Sequence, residues 1–163
     1  MPIPPMQSRD RYGVTARCDL RLPEIALEYR RQNSLLSNDA LSGINVTAWL
    51  YRDSSGVERV QVNPNTTKAE LREKFPLKNS NANGQEVGLH SEQMAAAWFQ
   101  SQRSTKVMQI FTERFPCWEC SNFLQRHYPG YPWYYYYDRR NWKGDDGEII
   151  RKIAETLRHA YGL

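Results

Sequence analysis

Apolar and polar residues follow one another along this chain with a period that changes between that of a helix and that of a strand. Around 22–37 the apolar positions are interspersed with charged ones, which predicts a helix. Segments 45–51 and 57–62 alternate apolar and polar residues, as half-buried strands do. The polar turn residues at 53–56 lie between them, so the two segments predict a hairpin.

The second half of the chain predicts helices alternating with strands. The expected helices cover 92–102, 117–127 and 145–161, and the expected strands cover 106–112 and 133–137. In the last predicted helix, Asp145 and Glu148 can form a capping box, and Gly162 follows its end. This order predicts an α/β fold, a three-layer α/β/α sandwich with a mixed sheet of four to five strands. No fifth strand is evident after the aromatic run.

The length of the chain, together with its proline-rich and polar stretches, predicts a single domain. The 163 residues suffice for one ordinary domain, which we expect over 21–163. The proline-rich start predicts a linker-like segment over 1–20, and the polar stretch 63–88 predicts a long loop. No apolar run approaches the ~18 residues that span a bilayer. No apolar segment typical of a signal peptide follows Met1, so we expect a protein without a membrane partner.

The charge and composition of the chain restrict the possible classes of binding partner only slightly. The net charge is +4, and residues 101–163 carry ten basic and seven acidic side chains, so the excess lies near the C-terminus. A mildly basic domain of this kind permits an anionic partner. The ten Tyr and five Trp suit either a core or stacking against bases. Three cysteines cannot form a complete disulfide framework, and Cys18 is interpreted as a structural thiol.

Two short segments carry the candidate chemistry: Leu-His-Ser-Glu at 89–92 and Pro-Cys-Trp-Glu-Cys at 116–120. His90, Cys117 and Cys120 supply three zinc ligands, which is the number that leaves a fourth position open for water in a catalytic site. Zinc lowers the pKa of such a water to ~7. Glu92, two residues after the histidine, is then expected to act as the general acid/base, which takes a proton from water and delivers protons to the substrate.

Each half of this pattern has simpler interpretations. A Cys-x-x-Cys pair alone also fits half of a zinc ribbon or a redox pair. His127, at the end of the predicted helix, would be the fourth ligand of a closed structural zinc site, although a surface histidine is the simpler interpretation. Glu92 would be an acidic residue that is favourable in the first turn of any helix.

The order of the two segments nevertheless matches the signature of zinc deaminases, His-x-Glu followed by Pro-Cys-x-x-Cys. The run Thr-Glu-Arg-Phe-Pro-Cys-Trp-Glu-Cys at 112–120 resembles, more narrowly, the deaminase domains of bacterial polymorphic toxins, within the cytidine deaminase-like superfamily. The resemblance covers roughly 45–140. It implies a cytidine deaminase-like α/β/α sandwich, with His90, Cys117 and Cys120 as zinc ligands and Glu92 as the acid/base.

For the toxin branch the resemblance implies a domain of a secreted bacterial protein that acts in the cytoplasm of a target cell and is neutralised by a cognate immunity protein. We expect a monomer that deaminates cytosine in single-stranded DNA. Free cytidine, adenine in RNA, or a non-catalytic zinc-stabilised module that binds nucleic acid remain open alternatives. The long segment before His90 and the missing fifth strand depart from free-nucleoside deaminases and leave the substrate class undecided.

Four further residues are candidates for substrate contact. They are Asn63 at the end of the second strand, Trp118 inside the zinc segment, and Tyr137 and Asp138 at the end of the last strand. Each has a structural alternative: a strand-end turn for Asn63, core packing for the two aromatic residues, and a solvated charge run, together with Arg139 and Arg140, for Asp138.

Overall fold

The computed structural model describes residues 2–7, 17–65, 79–80, 86–87, 91–102, 104–114, 118–128, 130–131, 133–138 and 144–163. Its helices are α1 (Arg21–Gln32), α2 (Asn38–Gly43), α3 (Ser91–Ser101), α4 (Trp118–His127) and α5 (Asp146–Tyr161). Its strands are β1 (Met6–Gln7), β2 (Val46–Arg52), β3 (Glu58–Pro64), β4 (Asn79–Ser80), β5 (Glu86–Val87), β6 (Lys106–Thr112) and β7 (Trp133–Tyr135).

Five of the strands form one mixed sheet in the order β1-β7-β6-β2-β3. β2 is antiparallel to both β3 and β6, whereas β6 and β7 are parallel and β1 is antiparallel to β7. Within the described residues, strands β4 and β5 pair with each other and not with the larger sheet. The predicted hairpin, the strand at 106–112 and the α/β class with a mixed sheet are therefore confirmed. No helix in the described ranges is long and apolar enough to cross a bilayer.

Helices lie on both faces of this sheet, and the alternation of side chains along β2 shows how. Ala48 and Leu50 join a first core cluster with α1, α2 and α5. Trp49 and Tyr51 point to the opposite face and join a second cluster with α3 and α4. A strand covered on both faces is apolar at nearly every position, which explains why only Arg52 of β2 is exposed.

Helix α5 agrees with its sequence pattern in detail. The Asp145 carboxylate accepts a hydrogen bond from the backbone N–H of Glu148 at 2.8 Å, which satisfies a donor that the first turn leaves free. Gly162 ends the helix in the left-handed region, at φ 70°, which glycine adopts without steric cost. The predicted apolar stripe is buried throughout and consists of Ile149, Ile153, Leu157 and Tyr161.

The first helix ends earlier than its pattern predicts. α1 stops at Gln32, Ser34 has a positive φ of 56°, and a separate helix α2 follows. The reason is Arg30, which the sequence places among the charged positions but which is fully buried. Its guanidinium donates to the carbonyl oxygens of Leu35, Ala40 and Ile44 at 2.8, 3.3 and 2.5 Å. The chain folds around this cation instead of continuing the helix.

The start of the chain also differs from the prediction. Residues 2–7 do not behave as a linker, because β1 pairs with β7 as the edge strand of the sheet. The Ile3 N–H donates to the Ala160 carbonyl at 2.9 Å, and the Tyr136 hydroxyl donates to the Ile3 carbonyl at 2.7 Å. The fifth strand that was missing after Tyr137 thus comes from the opposite end of the sequence. The remainder of the predicted linker up to 16 lies outside the described residues.

Candidate active site

The two segments that carry the predicted chemistry each lead into a helix. α3 begins at Ser91, directly after His90, and α4 begins at Trp118, directly after Cys117. Cys120 lies in the first turn of α4, and the two helices contact each other on the same face of the sheet. His90, Cys117 and the side chains of Trp118 and Cys120 lie outside what the structure describes. Among the described residues alone, no cluster of three His, Cys, Asp or Glu side chains forms a metal site.

Glu92 is described, and its carboxylate is buried. Only 3% of the residue is exposed. Its Oε1 accepts hydrogen bonds from the Thr112 hydroxyl at 2.6 Å and from the Asn45 amide at 3.3 Å, and its Oε2 accepts a longer one from the Ser91 hydroxyl at 3.4 Å. A carboxylate that serves only the helix dipole needs no such surroundings, because surface exposure is sufficient for that effect.

The bond from Thr112 connects the two predicted segments in space. Thr112 is the last residue of β6 and the first residue of the run that contains Cys117 and Cys120. Its hydroxyl lies 2.6 Å from a carboxylate oxygen of Glu92, twenty positions earlier in the chain. The C-terminal end of β6 and the start of α3 therefore lie next to each other.

Asn63 lies on the same face of the sheet as these residues. It is opposite Thr47 in the β2–β3 pair, and Thr47 is opposite Thr112 in the β2–β6 pair. Side chains that are directly opposite in neighbouring strands point to the same face, and two strand spacings separate the Cα atoms of Asn63 and Thr112 by roughly 10 Å. Asn63 is 8% exposed and accepts a hydrogen bond from Gln61 at 3.1 Å. β3 continues to Pro64, so Asn63 is not a strand-end turn residue.

Tyr137 and Asp138 follow β7 at the neighbouring strand end, and both are buried. The Tyr137 ring packs in the first core cluster, and the Arg114 guanidinium lies 5.9 Å from its centroid. Burial raises the pKa of Tyr137; the charge of Arg114 lowers it, and smaller contributions include the charge of Glu92, which raises it. Tyr137 thus has a packing role in the core, and Asp138, which is buried, is not part of a solvated charge run.

A second buried polar group, centred on Glu113, lies next to the hydrogen-bonded group around Glu92 and Thr112. The Glu113 carboxylate accepts two hydrogen bonds from Arg30, each 2.8 Å long, and both side chains are fully buried. It also accepts from the Tyr161 hydroxyl at 2.5 Å and from the Val46 N–H at 2.8 Å. Burial and the neighbouring Glu113 charge raise the pKa of Tyr161 well above its usual value. This group joins α1, α5 and β2 underneath the segment that carries Thr112.

Sequence reasoning did not identify Asn45, Thr112 or the Arg30–Glu113 pair as part of the site. A signal was present in the sequence, because Asn45 and Thr112 are polar residues at the ends of two predicted strands, next to the apolar residues Val46 and Phe111. Buried polar groups are found where they have hydrogen-bond partners, so such positions indicate a buried network. His127, by contrast, is exposed at the end of α4, as expected of a surface histidine.

Comparison with known proteins adds no identification. No protein-family model matches the chain. No curated protein and no solved structure matches it either.

Proposed function

We propose that this chain is a zinc-dependent deaminase that hydrolyses the exocyclic amine of a nucleobase, with a cytidine deaminase-like three-layer fold. The observation that carries the proposal is the 2.6 Å hydrogen bond from Thr112 to Glu92. It joins the His-x-Glu segment to the segment that contains both cysteines, and deamination requires these two segments in one pocket.

The residues around the site fit a zinc ion. One imidazole and two thiolates form a donor set of the kind found in catalytic zinc sites, and a helix start stabilises thiolates near it. The described hydrogen-bond partners of Glu92 are neutral hydroxyl and amide groups. A cation beside this buried carboxylate would therefore reduce the cost of burying its charge. His90, Cys117 and Cys120 would hold the ion, which supplies Lewis acidity when bound.

Glu92 would move the protons of the reaction. The oxygen of water forms a bond to the ring carbon, and the bond from that carbon to the amine breaks, releasing ammonia. One proton must pass from water to the ring nitrogen, and another must reach the leaving amine. A carboxylate at hydrogen-bond distance from these atoms can accept and return each proton. Asn63, on the same face of the sheet, would contact the sugar of the substrate, and Trp118 and Asp138 would contact the base or its neighbours.

Cytosine in single-stranded DNA is the substrate that we favour. The support is the basic C-terminal third of the chain and the resemblance of 112–120 to toxin deaminases. The supply of aromatic residues does not add to it, because every aromatic side chain whose burial is described is buried or partly buried. The aromatic surplus therefore serves the core in the described part of the chain.

A substrate panel tests the reaction. Zinc-loaded protein should convert cytosine to uracil in single-stranded DNA faster than in double-stranded DNA, RNA or free cytidine, as measured by sequencing and by chromatography of nucleosides. Reaction with free cytidine alone, or adenine conversion in RNA alone, would replace the proposed substrate but keep the reaction. No conversion of any substrate by zinc-loaded protein would leave only a zinc-stabilised binding module.

Zinc should copurify at about one ion per chain, and Cys117→Ala should lose most of it together with much of the stability, because binding of a structural or catalytic metal contributes folding free energy. Metal content by mass spectrometry and the thermal midpoint measure both effects. Cys18→Ala is the matched control. Burial, with a contribution from Asp19, raises the pKa of the Cys18 thiol to about 12, and this thiol packs against the first core cluster. A metal-free wild-type protein that is folded and active would refute the zinc assignment.

The toxin role predicts a phenotype. Expression of the chain in bacteria without an immunity protein should slow growth and raise the frequency of cytosine-to-thymine mutations, whereas expression of the Glu92→Gln variant to the same level should do neither. Growth curves and whole-genome sequencing provide the measurement. Harmless accumulation of wild-type protein that is active in vitro would argue against a toxin but not against deamination.

A further inference from the structure

Asn45 lies at the centre of the polar group that surrounds Glu92. Its amide nitrogen is 2.6 Å from the Ser91 hydroxyl, 2.9 Å from the Thr112 hydroxyl and 3.3 Å from Oε1 of Glu92. Its amide oxygen accepts the backbone N–H of Arg114 at 3.1 Å. A backbone N–H can only donate, so the oxygen must face Arg114 and the NH₂ group must face the hydroxyls and the carboxylate.

The group is assembled from three separate elements. Asn45 precedes β2, Thr112 ends β6, and Ser91 begins α3. The Asn45 backbone is fixed in turn, because its N–H donates to the Asn65 side chain at 3.0 Å and its carbonyl accepts from the Asn65 N–H at 3.1 Å. Oε1 of Glu92 is therefore held by residues at the ends of two strands, and the contact from its own helix, Ser91, reaches only Oε2.

We propose that Thr112 and Asn45 are positioning residues, which hold Oε1 of Glu92 and so direct Oε2 to the reacting atoms. This inference rests on the proposed role of Glu92 as the proton carrier. The two carboxylate oxygens are held unequally: Oε1 receives the 2.6 Å bond from Thr112 and the Asn45 amide, whereas Oε2 receives, within the described residues, the 3.4 Å contact from Ser91. Oε1 is thus the anchored oxygen, and Oε2 is the one that exchanges protons.

Thr112→Val tests the anchor, because valine keeps the shape of threonine and removes the hydroxyl. We expect kcat to fall ~10- to 100-fold, the range that a small misplacement of a reacting group produces, with little change in KM. Thr112→Ser, which keeps the hydroxyl, should restore most of the rate. Asn45→Asp, which replaces the donating NH₂ group by a carboxylate oxygen 3.3 Å from Oε1 of Glu92, should lower kcat at least as much as Thr112→Val, because it adds like-charge repulsion to the loss of the donor.

Thr47→Val is the matched control. Thr47 is as fully buried as Thr112 and lies opposite it across the β2–β6 pair. Its hydroxyl donates to the Phe111 carbonyl at 2.6 Å and accepts from the Trp49 indole at 3.0 Å, and it makes no hydrogen bond to Glu92. Loss of the Thr47 hydroxyl should lower stability as much as loss of the Thr112 hydroxyl does, but it should leave turnover unchanged.

A readout independent of turnover is the double-mutant cycle of Thr112→Val and Glu92→Ala in urea unfolding, with and without zinc. Residues that share a hydrogen bond lose stability non-additively, whereas the cycle of Thr47→Val with Glu92→Ala should be additive. An additive Thr112 cycle, or an unchanged kcat in Thr112→Val, would overturn the positioning role. The proposed function would still stand if the wild-type protein is active. Wild-type protein that deaminates no base would overturn both, although a non-additive cycle would still establish the contact.

Discussion

Replacement of Glu92 by glutamine should give a folded protein that retains zinc but deaminates ~10²–10⁴-fold more slowly, the contribution expected of a general acid/base. Glutamine has nearly the same shape, and its amide oxygen still accepts the Thr112 hydroxyl, but its amide group cannot carry a proton through the reaction. Zinc content, thermal midpoint and deamination rate are to be measured on one sample.

Glutamine is a sharper test here than alanine. Alanine would remove the acceptor of two buried donors, Thr112 and Asn45, and an unsatisfied buried group destabilises a protein by ~1–3 kcal/mol. A loss of activity in Glu92→Ala would thus mix chemistry with folding, so alanine is suited to the unfolding cycle and glutamine to the rate measurement.

The control for Glu92→Gln is Glu24→Gln. Glu24 is also an acidic residue in the first turn of a helix, α1, and it is exposed. If Glu92 serves only the helix dipole, the two variants should behave alike, with slightly lower stability and normal turnover. Full activity in Glu92→Gln would refute the mechanism and most of the reason for considering this chain a deaminase.

Among variants that keep the proposed zinc ligands, the largest effect on stability should come from Glu113→Gln. This change leaves the fully buried Arg30 cation without its counter-charge, and breaking a buried ion pair by removing one partner costs ~3–5 kcal/mol. For a domain of this size the thermal midpoint should fall by roughly 6–20 °C. Urea unfolding followed by tryptophan fluorescence measures the free energy.

Two variants separate this effect from weaker ones. Tyr161→Phe removes a single hydrogen bond to the Glu113 carboxylate and should destabilise less, by ~1.5–3 kcal/mol. Glu58→Gln affects a solvent-exposed carboxylate that pairs with Arg21 and should change the free energy of unfolding little. Equal stabilities of Glu113→Gln and Glu58→Gln would show that the buried pair does not stabilise the fold.

Local pattern determined most of the elements of this protein. The bounds of β6 and the caps and apolar stripe of α5 agree with the sequence because each depends on residues within one or two turns or on simple alternation. The order and spacing of the His-x-Glu and Pro-Cys-x-x-Cys segments also form a recognisable pattern, on which the proposed chemistry rests. The sequence by itself therefore indicated Glu92, and it placed His90 and Cys117 next to the starts of two helices.

Only the tertiary structure decided what surrounds Glu92 and where the sheet ends. The two partners that bind Oε1 of Glu92 are 20 and 47 positions away in the chain, and β1 pairs with a strand more than a hundred residues later. Arg30 has the pattern of a surface residue, but it is buried because Glu113, 83 positions away, neutralises it. The physical reason is the same in each case: the burial of a polar or charged group is determined by a partner distant in sequence, which local periodicity cannot encode.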